Sequence, residues 1–181
     1  MKIGITGSHG VGKTTLAKVA STRLRLPLIP EIVRKVTEEG FAVLTEDSET
    51  NVNSQLAMFG YQMVEEQRLD SFISDRILLD YYIYTRELVE QSLPYVFLES
   101  MKQLTYDYCA YEYDFIFYIP IEFSLDGDGF RAVDIEQQKK MDDRISLALG
   151  EISKDYGTKI FTVEGSVEDR LEGILNKIKE E

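Results

Sequence analysis

Two patterns of hydrophobic and polar positions alternate along the chain. Short apolar runs predict strands, and stretches with apolar residues every three or four positions predict helices. The predicted strands are Lys2–Thr6, Leu26–Ile29, Phe72–Asp75, Phe115–Ile119 and Lys159–Val163. The predicted helices cover 15–25, 31–40, 55–69, 78–90, 94–111, a long segment capped by Asp134, and a last one that begins with a capping box at Ser166–Asp169, whereas the polar stretch 45–54 predicts a loop. This alternation predicts a three-layer α/β fold with a parallel sheet, in a single domain spanning 1–181.

Composition narrows the class of protein. The 181 residues are 44% hydrophobic and 29% charged, as in soluble globular proteins, and no apolar run reaches membrane-spanning length. Cys109 is the only cysteine, which excludes an internal disulfide and a cysteine metal cluster. Without a signal-peptide pattern, we expect a cytoplasmic protein with no membrane partner. The net charge of −12 disfavours nucleic acid as a partner, because such binding depends on many Lys and Arg contacts to phosphates.

A phosphate-binding pattern follows the first strand directly. The pattern G-x-x-x-x-G-K-[ST] is fitted by Gly7, Ser8, His9, Gly10, Val11, Gly12, Lys13 and Thr14. The glycines let backbone N–H groups point at phosphate oxygens, and the helix start through Thr15 adds further donors. Lys13, which we expect to be solvated without ligand, would bridge the β- and γ-phosphates, and the Thr14 hydroxyl would bind Mg²⁺. ATP and Mg²⁺ are therefore the predicted cofactors.

Acids and arginines at the carboxyl ends of the strands are the candidates for the rest of the site. After the third strand, Asp75 could hold Mg²⁺ or accept a proton from an attacking hydroxyl, and Arg76 could pair with a phosphate. The structural alternative is a helix cap and a surface ion pair. After the second strand, Glu31 and Arg34 are three residues apart on the predicted helix, where they would hold an acceptor or form an ordinary ion pair.

A Gly- and Asp-rich loop follows the fourth predicted strand. Within a lid region at about 120–133, the loop Asp126–Arg131 has glycines that permit movement, and Arg131 could close over the triphosphate. The alternative is a surface turn. Four tyrosines could stack on a base, although such residues more often belong to the core and its rim: Tyr106, Tyr108, Tyr111 and Tyr113.

Taken together, these motifs resemble those of the P-loop nucleoside and nucleotide kinases. The chain looks most similar to the small AAA-domain group that includes ribosylnicotinamide kinase. The resemblance rests on the P-loop, Pro30-Glu31-x-x-Arg34, Asp75-Arg76, Asp128-Gly129-x-Arg131 and Ser166–Arg170. It implies a five-stranded parallel sheet of order 2-3-1-4-5. By similarity to deoxynucleoside kinases, either Glu31 or Asp75 would be the base. The serine-rich sequence that thymidylate kinases carry after their Asp-Arg pair is missing.

We therefore predict an ATP-dependent kinase that phosphorylates a nucleoside, nucleotide or related hydroxyl compound. Lys13, Glu31, Asp75 and Arg131 would be catalytic, with the acceptor between Glu31, Arg34 and Arg76, and a homodimer is compatible with this prediction. The alternative is a nucleotide-binding ATPase or GTPase switch without an acceptor. Asp126–Gly129 fits D-x-x-G, but Asn176–Lys179 departs from the guanine-reading Asn-Lys-x-Asp motif in its last residue. A remodelling ATPase would need a helical lid domain for which the chain is too short, and the net charge disfavours a polynucleotide kinase.

Overall fold

The computed structural model of the protein describes residues 1–42, 48–122 and 135–180. Its strands are β1 Lys2–Thr6, β2 Leu28–Ile29, β3 Phe72–Asp75, β4 Phe115–Tyr118 and β5 Ile160–Thr162. Its helices are α1 Lys13–Leu24, α2 Val33–Glu38, α3 Ser48–Gln67, α4 Leu78–Val89, α5 Tyr95–Glu112, α6 Ile135–Tyr156 and α7 Val167–Glu180, with a short 3-10 helix at Glu90–Ser92. Strands and helices alternate as the hydrophobic pattern predicts.

The strands form one parallel sheet of order β2-β3-β1-β4-β5. This confirms the predicted α/β class and strand order. In the centre of the sheet, Ile5 on β1 lies opposite Asp75 on β3 and Phe117 on β4. Because all strands run in the same direction, their carboxyl ends meet at one edge, where a ligand site is expected in folds of this kind.

Two hydrophobic clusters cover the two faces of the sheet. One cluster joins the sheet to α2, α3, α4, α5 and α6, and it includes Phe72, Leu78 and Cys109. The other joins the sheet to α1 and α7, and it includes Ile5, Leu16 and Ile174. Burying both faces explains why the central strands are almost continuously apolar. Among the helices that the described residues form, none is both long and apolar enough to cross a membrane.

Three sequence expectations about helices can be compared with the structure. The prediction of a loop across 45–54 is wrong for residues 48–54, which belong to α3. This segment lacks the apolar periodicity of a helix, but Ser54 is buried and its hydroxyl donates to the Ala42 carbonyl, a tertiary contact that periodicity does not report.

The second helix begins at Val33, so Glu31 precedes it. The capping box of α7 is confirmed, because Asp169 accepts from the Ser166 N–H at 2.9 Å and its own N–H donates to Ser166 Oγ at 3.2 Å. The proposed cap Asp134 lies outside the described residues.

Candidate active site

The phosphate-binding pattern forms the turn between β1 and α1, with glycine required at both of its ends. Gly7 has φ +145°, and a Cβ there would lie 2.4 Å from the Ile119 carbonyl oxygen beyond β4. Gly12 has φ +96° and immediately precedes α1. Side chains at either position would strain the backbone, so the close approach of this turn to β4 depends on glycine.

Lys13 is buried rather than solvated, which corrects the sequence expectation. Its side chain is 5% exposed, and Nζ donates to the carbonyl oxygens of Gly7 at 2.8 Å and Ser8 at 2.6 Å. The Lys13 ammonium group at the end of the turn is thus bound to two carbonyl groups at its beginning. Burial, reinforced by the nearby positive charge of Arg76, lowers the pKa of Lys13 to about 7. Phosphate oxygens placed beside it would favour its charged form.

A cavity of about 300 Å³ lies over this turn. The turn, β3 and the segment after β2 all contribute to it, and its walls are formed by His9, Gly10, Gly12, Lys13, Thr14, Glu31, Asp75 and Arg76. Residues predicted from three separate stretches of sequence therefore meet at the carboxyl edge of the sheet. Gly7, Ser8, Val11 and Thr15 complete the same turn and the start of α1. Arg131 lies outside the described residues.

Asp75 ends β3 at the floor of this cavity. It is 2% exposed, and its Oδ1 has no hydrogen-bond partner among the described residues. Burial raises the pKa of Asp75, although a hydrogen bond from Thr14 partly opposes the shift. A buried carboxylate oxygen without a partner beside a threonine hydroxyl fits Mg²⁺. This ion usually takes one or two protein oxygens and completes its shell with phosphates and water. The described part of the chain has no group of three or more His, Cys, Asp or Glu side chains that could hold a metal ion by themselves.

Arg76 lies between two carboxylates in an unusual backbone conformation. Its φ is +90°, a value that is uncommon for residues other than glycine. Its Nε donates to Glu31 Oε1 at 2.6 Å, Nη1 is 3.8 Å from Asp80 Oδ1, and the guanidinium carbon is 5.2 Å from the centre of the Tyr84 ring. Burial lowers the pKa of Arg76, but Asp80 and Glu31 outweigh this effect and raise it overall. The guanidinium group is therefore a permanent positive charge beside the phosphate cavity.

Glu31 pairs with Arg76 across the sheet edge, not with Arg34 along a helix. Partial burial raises the pKa of Glu31, but the charge and hydrogen bond of Arg76 outweigh this and hold it below its usual value. Arg34 is exposed on α2 and contributes only a weaker electrostatic effect on Glu31. In the described part of the chain, Arg34 lines neither the phosphate cavity nor the larger cleft that lies beside it. Of the three residues that were predicted to hold the acceptor, the structure thus brings together Glu31 and Arg76 but not Arg34.

A second, larger cleft of about 510 Å³ adjoins the phosphate cavity. The two cavities share His9, Glu31 and Arg76. Beyond them, the larger cleft is mainly apolar and aromatic, with two amide side chains, and its lining is completed by Val33, Gln55, Met58, Tyr81, Tyr84, Leu88 and Gln137. Gln55 is 3% exposed, and its Oε1 has no hydrogen-bond partner among the described residues. The buried Gln55 amide and the three shared residues therefore line the same cleft.

The sequence interpretation missed two residues of this region. Asp80 on α4 is fully buried and close to Arg76, and burial raises its pKa. An acid inside the apolar run Leu78–Ile83 is a signal that could have identified it, because buried charges are usually paired. Gln55 on α3 gives no comparable signal, because it lies beside the stretch that was predicted to be a loop. The four tyrosines proposed for stacking do not line either cavity in the described residues, and Tyr106 and Tyr113 are buried in the core.

A known protein family matches most of this chain. The sequence profile of the family described as "AAA domain" matches residues 2–170. The chain belongs to this AAA domain family. The resemblance to the small AAA-domain group that was inferred from the motifs is therefore confirmed. No curated protein matches the chain at a significant level.

Solved structures with the same fold include several kinases. Deoxyadenosine kinase from M. mycoides, with dCMP and dCDP bound, is 20% identical, with 100% of each chain covered and a TM-score of 0.65. A NadR protein in complex with NAD and AMP-PNP is 19% identical, with a TM-score of 0.69, and the match covers 98% of this chain but 48% of NadR. Shikimate kinase from Acinetobacter baumannii, bound to shikimate, is 11% identical, with 99% and 93% covered and a TM-score of 0.58. These likenesses establish a shared fold.

Proposed function

We propose that the protein transfers the γ-phosphoryl group of ATP to a hydroxyl group of a nucleoside, a nucleotide or a related small molecule. The observation that carries this proposal is the junction of the two cavities. One is lined by the phosphate-binding turn, the other has room for an organic acceptor, and they meet at His9, Glu31 and Arg76. A nucleotide switch needs the first cavity but has no use for the second.

The chemistry of the larger cleft favours a flat, partly polar acceptor. Val33, Met58 and Leu88 provide apolar surface, and Tyr84 provides an aromatic face. Gln55 Oε1, which has no hydrogen-bond partner among the described residues, can accept a hydrogen bond from an amino or amide N–H group. A nucleobase or a pyridine carboxamide offers both a flat ring and such a donor. The structural relatives bind compounds of this kind, since deoxyadenosine kinase holds dCMP and one NadR structure holds NR.

On the donor side, the chain supplies positioning and positive charge. Backbone N–H groups of the turn and the Lys13 ammonium group hold the β- and γ-phosphates of ATP. Thr14 and Asp75 would hold Mg²⁺, which neutralises charge on the phosphate oxygens when it is bound. Arg76 remains charged and faces the place where the two cavities meet, so it can stabilise the negative charge of the transferred group.

On the acceptor side, we assign the base to Glu31 rather than Asp75. Glu31 lines both cavities, whereas Asp75 lines only the phosphate cavity in the described residues. The acceptor oxygen forms a bond to the γ-phosphorus while the bond from that phosphorus to the β,γ-bridging oxygen breaks. The hydroxyl proton passes to the Glu31 carboxylate, and ADP leaves with the bridging oxygen. The lowered pKa of Glu31 keeps it unprotonated and ready to accept this proton near neutral pH.

A kinase assay with two acid variants tests the proposal. Purified protein is incubated with Mg²⁺, γ-labelled ATP and a set of nucleosides, nucleoside monophosphates and pyridine ribosides. For the acceptor that is phosphorylated, Glu31→Gln should lower kcat about 100-fold or more with little change in ATP affinity, as expected for loss of a general base. Asp75→Asn should instead raise the Mg²⁺ concentration required for activity, because an amide is a weaker ligand.

Glu65→Gln is the matched control for the change of an acid to an amide. Glu65 pairs with Lys35 at 2.5 Å but lines neither cavity in the described residues, so this variant should keep wild-type kcat. If ATP is hydrolysed at the same rate with and without every acceptor, the protein is a nucleotide switch and the proposed transfer is wrong. If Asp75→Asn abolishes kcat while Glu31→Gln is mild, the base belongs at Asp75.

A further inference from the structure

The outer side of the phosphate-binding turn is held by side chains from the last two helices. Gln138 on α6 donates from Nε2 to the His9 carbonyl oxygen at 2.7 Å. Arg170 on α7 donates from Nη1 to the Val11 carbonyl oxygen, also at 2.7 Å. These contacts join residues 129 and 159 positions apart in the chain. The turn is therefore fixed by elements that belong to the far end of the sequence.

Both side chains are buried, and Arg170 is itself anchored. Gln138 is 3% exposed and Arg170 is 6% exposed. The Nη2 group of Arg170 forms an ion pair with Glu122, and Glu122 also accepts from the Gly165 N–H at 2.7 Å. In this way Arg170 connects the turn to the residues after β4 and to the segment before α7. A guanidinium group that is held through Nη2 can fix the position of the carbonyl group that it contacts through Nη1.

Because peptide units are planar, the contacts to these two carbonyl groups also fix the direction of two N–H groups. A trans peptide unit is planar, so its N–H points away from its C=O. The His9 carbonyl shares its peptide with the Gly10 N–H, and the Val11 carbonyl shares its peptide with the Gly12 N–H. Gly10 and Gly12 both line the phosphate cavity. Holding the two carbonyl groups on the outside therefore keeps the two N–H groups directed at the cavity, against the freedom that glycine otherwise gives these peptides.

We propose that Gln138 and Arg170 are positioning residues that pre-organise the Gly10 and Gly12 N–H groups for the phosphates of the nucleotide. Neither side chain lines the phosphate cavity in the described part of the chain, so each acts through the carbonyl group that it holds. This inference builds on the phosphate-binding role in the proposed function and extends it to two residues in α6 and α7.

Binding of inorganic tripolyphosphate, measured by calorimetry, tests this proposal without any contribution from a base or sugar. Gln138→Met and Arg170→Met keep side-chain length but remove the donors, and each should weaken tripolyphosphate binding about tenfold or more, the usual effect of losing a hydrogen bond of this strength. Arg144→Met is the matched control. Arg144 pairs with Glu87 at 2.6 Å but does not contact the turn, so this variant should bind tripolyphosphate like the wild type.

The backbone amide signals of Gly10 and Gly12 provide a readout that a general loss of stability would not imitate. In the wild type, both ¹H–¹⁵N signals should shift when tripolyphosphate is added. In Gln138→Met the shift of Gly10 should be reduced more than that of Gly12, and in Arg170→Met the order should be reversed. Because Gln138→Met does not change the net charge, its effect cannot arise from the loss of a positive charge near the phosphates.

The outcomes separate this inference from the proposed function. If the wild type binds tripolyphosphate and both variants, still folded by their cooperative melting, bind it equally well, the positioning role is wrong and the proposed function stands. If Arg170→Met loses ATP binding but keeps tripolyphosphate binding, Arg170 contacts the nucleoside and the positioning role is again wrong. If Arg170→Met does not fold, Gln138→Met and its Gly10 signal decide the question. If the wild type binds neither ligand, both proposals fail.

Discussion

At the scale of single residues, Lys13 is a buried amine that lines the phosphate cavity. Its ammonium group contacts the Gly7 and Ser8 carbonyl oxygens, and burial lowers its pKa to about 7. The carbonyl oxygens hold the amine in position, but they offset the cost of burying a full charge only in part. Phosphate oxygens provide the missing negative charge, so binding and protonation of Lys13 are coupled.

We predict that nucleotide binding at pH 8 takes up a proton. At this pH Lys13 is mostly neutral in the free protein, because pH 8 lies above its pKa of about 7. The triphosphate raises that pKa, so the bound protein holds close to one additional proton. Calorimetry with an ATP analogue in two buffers of different ionisation enthalpy measures this number. Adenosine, which lacks phosphates, should cause no uptake, and an equally small value for the analogue would contradict the prediction.

At the scale of elements, a buried polar network connects α3 with the end of β3 and with Arg76. Gln62 donates from Nε2 to Glu66 at 2.6 Å, to Ser74 Oγ at 2.8 Å and to the Arg76 carbonyl oxygen at 3.2 Å. Tyr113 donates its hydroxyl to the same Glu66 oxygen at 2.7 Å. This network connects α3 with the residue whose backbone has the unusual positive φ. Burial raises the pKa of Glu66 to about 7, although these hydrogen bonds partly oppose the shift.

The raised pKa of Glu66 predicts how the stability of the protein depends on pH. Between pH 4.5 and about 7 the folded state binds more protons at Glu66 than the unfolded state, so the free energy of unfolding decreases as pH rises through this range. Glu66→Gln imitates the protonated acid and should remove this decrease. The free energy of unfolding of Glu66→Gln minus that of the wild type should therefore increase between pH 4.5 and pH 8, by up to about 3 kcal/mol.

Urea unfolding at several pH values measures the difference. Glu65→Gln is the control, since Glu65 lies on the same helix but is only partly buried and pairs with Lys35. A free energy difference between Glu66→Gln and wild type that stays constant from pH 4.5 to 8 would show that Glu66 does not titrate in this range.

At the scale of the whole molecule, the charge around the phosphate cavity differs from the net charge of the chain. The chain carries a net charge of −12, whereas the phosphate cavity is lined by equal numbers of basic and acidic side chains, Lys13 and Arg76 against Glu31 and Asp75. A small phosphorylated ligand experiences mainly these four local groups and not the acidic excess of the whole chain, because the potential of more distant charges is screened within about 10 Å at 0.1 M salt. A polynucleotide would extend far beyond the cavity over an acidic surface.

This contrast predicts that the protein does not bind or phosphorylate polynucleotides. Fluorescence anisotropy with a labelled single-stranded oligonucleotide should show no binding at physiological salt and micromolar protein, and its 5′-hydroxyl should not accept phosphate from ATP. Binding to polyanions depends on many Lys and Arg contacts that this surface cannot supply in number. Tight binding with a steep dependence on salt would overturn the prediction and support a polynucleotide kinase.

The amino-acid sequence by itself determined the parts of this protein that depend on neighbouring residues. The first strand, the glycine turn and α1 follow from a local pattern, and Asp75-Arg76 stands out because an acid and an arginine end an apolar run. The alternation of strands and helices was enough to predict a parallel sheet, and the family resemblance supplied its order. Periodicity also placed most helices correctly, because each one buries a single apolar face.

Only the tertiary structure decided which distant groups meet. Glu31 pairs with Arg76, 45 positions away, instead of with its helical neighbour Arg34. Burial turns Lys13 inward, and α3 extends over a polar stretch because Ser54 is covered by residues outside that helix. Gln138 and Arg170 contact the phosphate-binding turn across more than a hundred residues. Local sequence patterns record which face of an element is apolar, whereas these contacts depend on how separate elements are brought together by the sheet.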